Sequence, residues 1–132
     1  MSDIYLGNPN LKKANTQLEF SEDDIQEYLR CKADPVYFTE KHIKIVNVDE
    51  GLVGFSMYKF QKKLLKNFHK HRFNICKMPR QTGKSTTVVS YLLHYAIFND
   101  NVNIGILANK AATARDLLGR LQLAYENLPR WM

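Results

Sequence analysis

The tripeptide Gly83-Lys84-Ser85, set between a short apolar run and a long apolar stretch, constrains this chain more than any other feature. Upstream, Phe73-Asn74-Ile75-Cys76 has the composition of a strand. Downstream, from Lys84 to about Phe98, Val88, Val89, Leu92, Leu93, Ala96 and Ile97 predict a helix that is apolar nearly all round and buried against a sheet. Strand, turn and helix in that order are the setting a phosphate-binding P-loop needs. Gly83 lets the backbone approach the phosphates, Lys84 reaches the terminal ones and Ser85 offers its hydroxyl to Mg²⁺. The N-terminus of the helix points free N–H groups at the anion. One position departs from the pattern: its first glycine falls at Met78. A surface turn that happens to carry a lysine is the competing reading of so short a motif, and the flanking strand and helix weigh against it.

Charge distribution points the same way. The net charge is +6, yet no Asp or Glu occurs from Gly51 to Asn99, a stretch holding Lys59, Lys62, Lys63, Lys66, Lys70, Arg72, Lys77, Arg80 and Lys84. A field of one sign over that length attracts a polyanion, either a nucleoside triphosphate or nucleic acid. For the lysines from 59 to 70 the alternative is the solvated face of one helix, and both readings stay open. The 132 residues allow one small domain or part of a larger one, and 45% hydrophobic with 24% charged residues is ordinary for a water-soluble globular chain. No apolar run reaches the length of a membrane span, and Met1-Ser2-Asp3 opens no signal peptide. Cys31 and Cys76 are too far apart for a C-x-x-C site, and His42, His69, His71 and His94 are scattered. No metal cluster is expected, and the thiols read as reduced and mostly buried.

Along the chain, residues 1–20 are polar and aperiodic and read as a flexible leader. Residues 21–57 form a helical lead-in and a strand pair. Ser21 with Asp24 makes a capping box, and Asp34-Pro35 starts a second, short apolar helix. Ile43 to Val48 alternates as a strand, turns at Asp49-Glu50-Gly51, and returns through Leu52-Val53. Residues 58–132 hold a helix from Tyr58 to His71 with Met57, Phe60, Leu64, Leu65 and Phe68 on one face. The strand 73–77, the helix 84–98 and a strand 102–108 follow, then a last helix capped by Asn109 with Ala114, Leu117, Leu118, Leu121, Ala124 and Tyr125 facing inward. The unit 73–108 has the length of one βαβ crossover, so the expected fold is α/β with a parallel sheet.

Four stretches, in order, resemble the N-terminal ATPase region of the large terminase subunit of tailed bacteriophages, the myovirus branch in particular. They are Glu27-Tyr28-Leu29-Arg30-Cys31 through Asp34-Pro35-Val36-Tyr37-Phe38, then Tyr58-Lys59-Phe60-Gln61, then Arg80 to Ser85, and last Gly105-Ile106-Leu107-Ala108-Asn109-Lys110. The resemblance runs from about residue 21 to the end of the chain. It implies a P-loop NTPase fold of the RecA-like, ASCE type, with flanking helices around a parallel sheet. It also implies the motor that hydrolyses ATP to drive viral double-stranded DNA into the capsid. Terminases lack the leading glycine and carry a basic residue early in the loop, which Arg80 matches; the family role is to stabilise charge as the γ-phosphoryl leaves. Pairing of Arg80 with an acidic neighbour is the alternative.

By the same resemblance Arg80 and Lys84 are the catalytic residues. Phe60, Gln61, Arg80, Gln81, Thr82, Gly83, Lys84, Ser85 and Thr86 bind ATP, and Ser85 holds Mg²⁺. Gln61, 23 residues before Lys84, matches the adenine-reading glutamine; a carboxamide can donate to and accept from the adenine edge. Phe60 either packs on the base or belongs to the core, and Lys110 reads as a surface lysine. Partners implied are ATP, double-stranded DNA, the portal and the small terminase subunit, in a possible ring, in the host cytoplasm and with no membrane.

The family's Asp-Glu pair for Mg²⁺ and for the attacking water ends a later strand, beyond Met132. The resemblance therefore implies an N-terminal piece of a longer motor, stopping before Walker B, that binds ATP weakly and does not turn it over alone. Two rival readings stay open. One is the first half of a helicase or restriction-type translocase; the other is a non-catalytic module that docks its basic face on DNA or a partner.

Overall fold

The computed structural model describes residues 4–132; Met1 to Asp3, the start of the expected leader, lie outside the described residues. Among the described residues the fold is mixed α/β, with five helices and two small antiparallel sheets. Helix α1 (Glu22–Ala33) begins where the capping box predicts. Ser21 Oγ accepts the Asp24 N–H (3.1 Å) while the Asp24 carboxylate accepts the Ser21 N–H (3.0 Å). Helix α2 (Pro35–His42) begins at the Asp-Pro step, the Asp34 carboxylate accepting from the Val36 and Tyr37 N–H groups at 2.8 and 3.2 Å.

Helix α2 lies at the centre. Phe38 is wholly buried and meets His94 and Phe98 of α4 (Lys84–Phe98) edge-on, with ring centroids 5.4 and 5.6 Å away. Tyr28 of α1 meets Phe98 in the same way at 5.0 Å. His94, itself buried, donates from Nε2 to the Cys31 carbonyl at 2.9 Å, and burial holds its pKa below the usual imidazole range. Strands β3 (Lys44–Asn47) and β4 (Gly51–Gly54) pair antiparallel in the register Lys44↔Gly54 to Asn47↔Gly51. Asn47 Oδ1 accepts the Asp49 N–H (2.8 Å) in the turn between them. Phe55 and Met57 then enter the core and lead to helix α3 (Lys59–Lys70), which buries Gln61 and Leu65. Helix α5 (Ala111–Glu126) packs along α4.

Several features differ from the sequence expectation. The leader opens in a hairpin of β1 (Ile4–Tyr5) and β2 (Asn8–Lys12), turned through Leu6 and Gly7, both at positive φ. The Asn8 and Asn10 side-chain amides donate to the Glu126 carbonyl (3.3 and 3.1 Å), which the missing periodicity could not reveal. The residue capping α5 is Lys110, not Asn109. Helix α4 is buried against α2, α3 and α5 rather than a sheet.

The largest difference concerns the parallel sheet. Segments 73–77 and 102–108 form no strands. Among the described residues neither makes a backbone–backbone hydrogen bond. A strand exists through its neighbours, and here the β-forming residues have none. The alternation survives: Cys76, Val102, Ile104 and Ile106 are half-buried, while Phe73, Ile75 and Leu107 are 83, 101 and 93% exposed. No helix of the described residues is long and apolar enough to cross a membrane.

One carboxylate fastens α1 to α2. Glu27 takes contacts from His42 Nε2 (2.8 Å), Lys41 Nζ (3.0 Å) and the Tyr37 hydroxyl (2.9 Å). Burial alone would raise its pKa, but the hydrogen bonds from His42, Lys41 and Tyr37 hold it down at about 2, against an ordinary 4.5. A depressed carboxyl contributes stability above its unfolded pKa and loses it as pH falls toward the folded one. Thermal midpoints should therefore drop as pH falls from 4.5 toward 2. Glu27→Gln should lower stability at neutral pH by about 2 kcal/mol and flatten that acid slope; an unchanged slope in the variant would place the acid sensitivity elsewhere. In hydrogen exchange, amides of 73–77 and 102–108 should exchange at near-unprotected rates while those of Leu93 and His94 stay slow. Equal protection would mean that the two segments are paired.

Candidate functional site

The segment from Met78 to Ser85 folds into a closed loop at the start of α4. Its shape rests on two residues in the left-handed region, Gln81 (φ 60°) and Gly83 (φ 70°). Thr82 Oγ1 donates to the Pro79 carbonyl (3.1 Å), and Lys84 Nζ reaches back to the Met78 carbonyl (3.3 Å), so the lysine spans the loop. At the other end Thr87 donates to the Gly83 carbonyl from its N–H (3.0 Å) and its Oγ1 (2.9 Å), which starts the helix. Gly83, as N-cap, brings no side chain to the first turn. The N–H groups of Lys84, Ser85 and Thr86 find no acceptor among the described residues. They add the helix dipole and free donors to the positive charges of Lys84 and Arg80. Arg80 is exposed and in no ion pair among the described residues, so pairing with an acidic neighbour does not account for it.

Gln61 ties the loop to α3. It is only 2% exposed; its Oε1 accepts the Tyr58 N–H (2.9 Å), and its Nε2 donates to the Thr82 carbonyl (3.1 Å). The expected adenine-reading residue is thus a strut between helix and loop. These two bonds use one lone pair and one N–H of its carboxamide. Gly83 is needed for this strut as well as for its φ, since a Cβ there would collide with Gln61 Nε2.

The other candidates divide. Lys84 and Ser85 line a groove of about 400 Å³ with Asn74, Cys76, Leu92 and Ile106, on the side of α4 that carries the two unpaired segments. Thr86 lies elsewhere, in a cavity of about 340 Å³ with Ile43, Ile45, Val89 and Arg120. Phe60 is not core: it is 44% exposed and stacks on Tyr58, with rings 5.8 Å apart and 9° from parallel. Tyr58, 70% exposed, belongs to the second resembling stretch, where the resemblance assigns it no binding role. Glu27, Cys31 and His42, which the sequence did not group, bring their ligand atoms within 4.8 Å of one another. Glu27 and Cys31, four apart on one helix, were legible as neighbours; His42 joins them only through packing. No protein-family model matches the chain.

Gly83→Ala should cost roughly 2–3 kcal/mol in urea unfolding, from the left-handed backbone and the displaced Gln61. In a Gln61→Ala background the same change should cost about 1 kcal/mol less. Equal costs in both backgrounds would show that the two residues do not bear on each other.

Proposed function

We propose that this chain is the ATP-binding portion of a DNA-packaging motor of the large-terminase kind, built on a P-loop NTPase fold. The observation that carries the reading is the Gln61–Thr82 hydrogen bond, which joins two of the four resembling stretches at the mouth of a loop lined with free N–H groups. The residues fit a triphosphate with its magnesium. Lys84, Ser85 and Thr86 can present backbone N–H groups to the phosphate oxygens, and Lys84 and Arg80 supply the positive charge. The exposed hydroxyl of Ser85 is suited to Mg²⁺. The stacked Tyr58 and Phe60, beside Gln61, offer an aromatic surface for the base.

The unpaired segments support the same reading. Residues 73–77 lead into the loop and 102–108 follow α4, and Cys76 of the first and Ile106 of the second line one groove. On this reading they would become strands of a parallel sheet once neighbouring strands pair with them. Turnover requires a carboxylate on Mg²⁺ and a group that orients water. The acidic residues after the loop are Asp100, Asp116 and Glu126; Asp116 is held by Arg120 (3.0 Å), and neither Asp116 nor Glu126 lines the groove. Binding without sustained hydrolysis is the expected behaviour of these residues alone.

Displacement of a fluorescent ATP analogue by Mg²⁺-ATP tests this. Lys84→Ala should weaken binding at least tenfold and Arg80→Ala by less, with ATP preferred over GTP; roughly 1.4 kcal/mol corresponds to each tenfold step. Binding indifferent to Lys84→Ala, or sustained hydrolysis by the isolated chain, would overturn it.

A further inference from the structure

We propose that Glu27, Cys31 and His42 form a binding site for a divalent transition-metal ion, zinc by the nature of the donors. The inference is independent of the nucleotide reading. A thiol, an imidazole and a carboxylate are the donor types that zinc takes, and a set containing sulfur selects it over Mg²⁺ or Ca²⁺. The three ligand atoms lie within 4.8 Å of one another, with Glu27 Oε1 at 2.8 Å from His42 Nε2 and 3.6 Å from Cys31 Sγ. Donors around a tetrahedral zinc stand about 3.3–3.8 Å apart, so side-chain adjustments of about 1 Å bring them onto an ion, with water at the fourth corner.

The protein holds these donors from rigid elements. Glu27 and Cys31 are one turn apart on α1, and His42 closes α2. The Tyr37 hydroxyl bonds Glu27 Oε2 at 2.9 Å, which orients the carboxylate and leaves Oε1 toward the sulfur and the imidazole. Cys31 is fully buried, and Glu27 Oε1 is its side chain's one polar partner among the described residues. Burial, with the negative Glu27 beside it, pushes that thiol up to about 12, so without a metal ion it stays protonated and inert.

Lys41 is the competitor. Its ammonium stands 3.0 Å from the same Oε1, at the end of a side chain 49% exposed. The ammonium can leave for solvent when a metal ion arrives. In that exchange the Cys31 S–H bond breaks and its proton goes to solvent as the sulfur–metal bond forms. Glu27 is already ionised, and the Nε2 proton that His42 now donates to Glu27 must move to Nδ1 or leave for solvent before Nε2 can bind the ion. Affinity should therefore rise by about tenfold per pH unit from the thiol alone.

The test is to titrate the full chain, stripped with chelator, with Co²⁺ and then to displace it with Zn²⁺. The expected spectrum has tetrahedral d–d bands and a sulfur-to-cobalt charge-transfer band, lost in Cys31→Ser and kept in Cys76→Ser. His42→Gln should weaken binding at least tenfold. Lys41→Met, which removes the competing ammonium, should tighten it about tenfold. That variant also decides the matter if Cys31→Ser fails to fold, because a purely structural role for Lys41 moves stability and not metal affinity. Absence of the charge-transfer band, a band that follows Cys76, or an affinity unmoved by Lys41→Met would each overturn the proposal.

Discussion

The structure depends on the burial of Phe38. This ring sits where α1, α2 and α4 converge, edge-on to His94 and Phe98, while Tyr28 closes on Phe98 from α1. Full burial of one such side chain stabilises by about 2–3 kcal/mol, and the edge-on pairs add to it. The same junction requires a polar contact. His94, buried among these rings, satisfies its ring N–H on the Cys31 carbonyl of α1. An unsatisfied donor there would cost about 1–3 kcal/mol, so the bond fixes which turn of α4 meets which turn of α1.

With its C-terminal half fixed in this way, α4 projects its first turn outward, and the loop from Met78 to Ser85 is the consequence. The helix start has free N–H groups because Gly83 cannot cap it, and glycine suits that position by its left-handed φ of 70°, a side chain there also displacing the Gln61 amide. Gln61 in turn sits at the start of α3, whose other end packs on α4 through Phe68 and Tyr91. The Tyr91 hydroxyl donates to the Phe68 carbonyl at 3.1 Å. Two helices thus hold the loop from two directions, α3 through the Gln61–Thr82 bond and α4 through its first turn.

Local chemistry was legible in the sequence where it is self-contained. Ser21 with Asp24, Asp34 with Pro35, and the turn at Asn47–Gly51 contain their own reasons, and the elements they bound appear as read. The start of α4 at Lys84 belongs with them. What depended on distant partners was not legible. The β-forming composition of 73–77 and 102–108 predicts a sheet, but a strand needs a neighbour, and these segments have none among the described residues. Phe60 fits the periodicity of the inner face of α3, yet the buried position went to Gln61, which has a hydrogen-bond partner across the junction. The Glu27–Cys31–His42 constellation needed the angle between α1 and α2, and no spacing rule for metal ligands covers it.

The two sides of α4 differ in a way that joins the fold to the candidate site. Leu93, His94 and Phe98 face a finished core, whereas Val88 and Leu92 face the groove between the unpaired segments. That groove also contains Lys84 and Ser85 at its loop end. A strand laid into it would hydrogen-bond the exposed main chain of 73–77 or 102–108, cover Val88 and Leu92, and bring its own terminus beside Ser85. On the nucleotide-binding reading, completing the sheet and completing the magnesium site are therefore one event. The apolar surface that makes the unpaired segments unfavourable in water is the driving force for it.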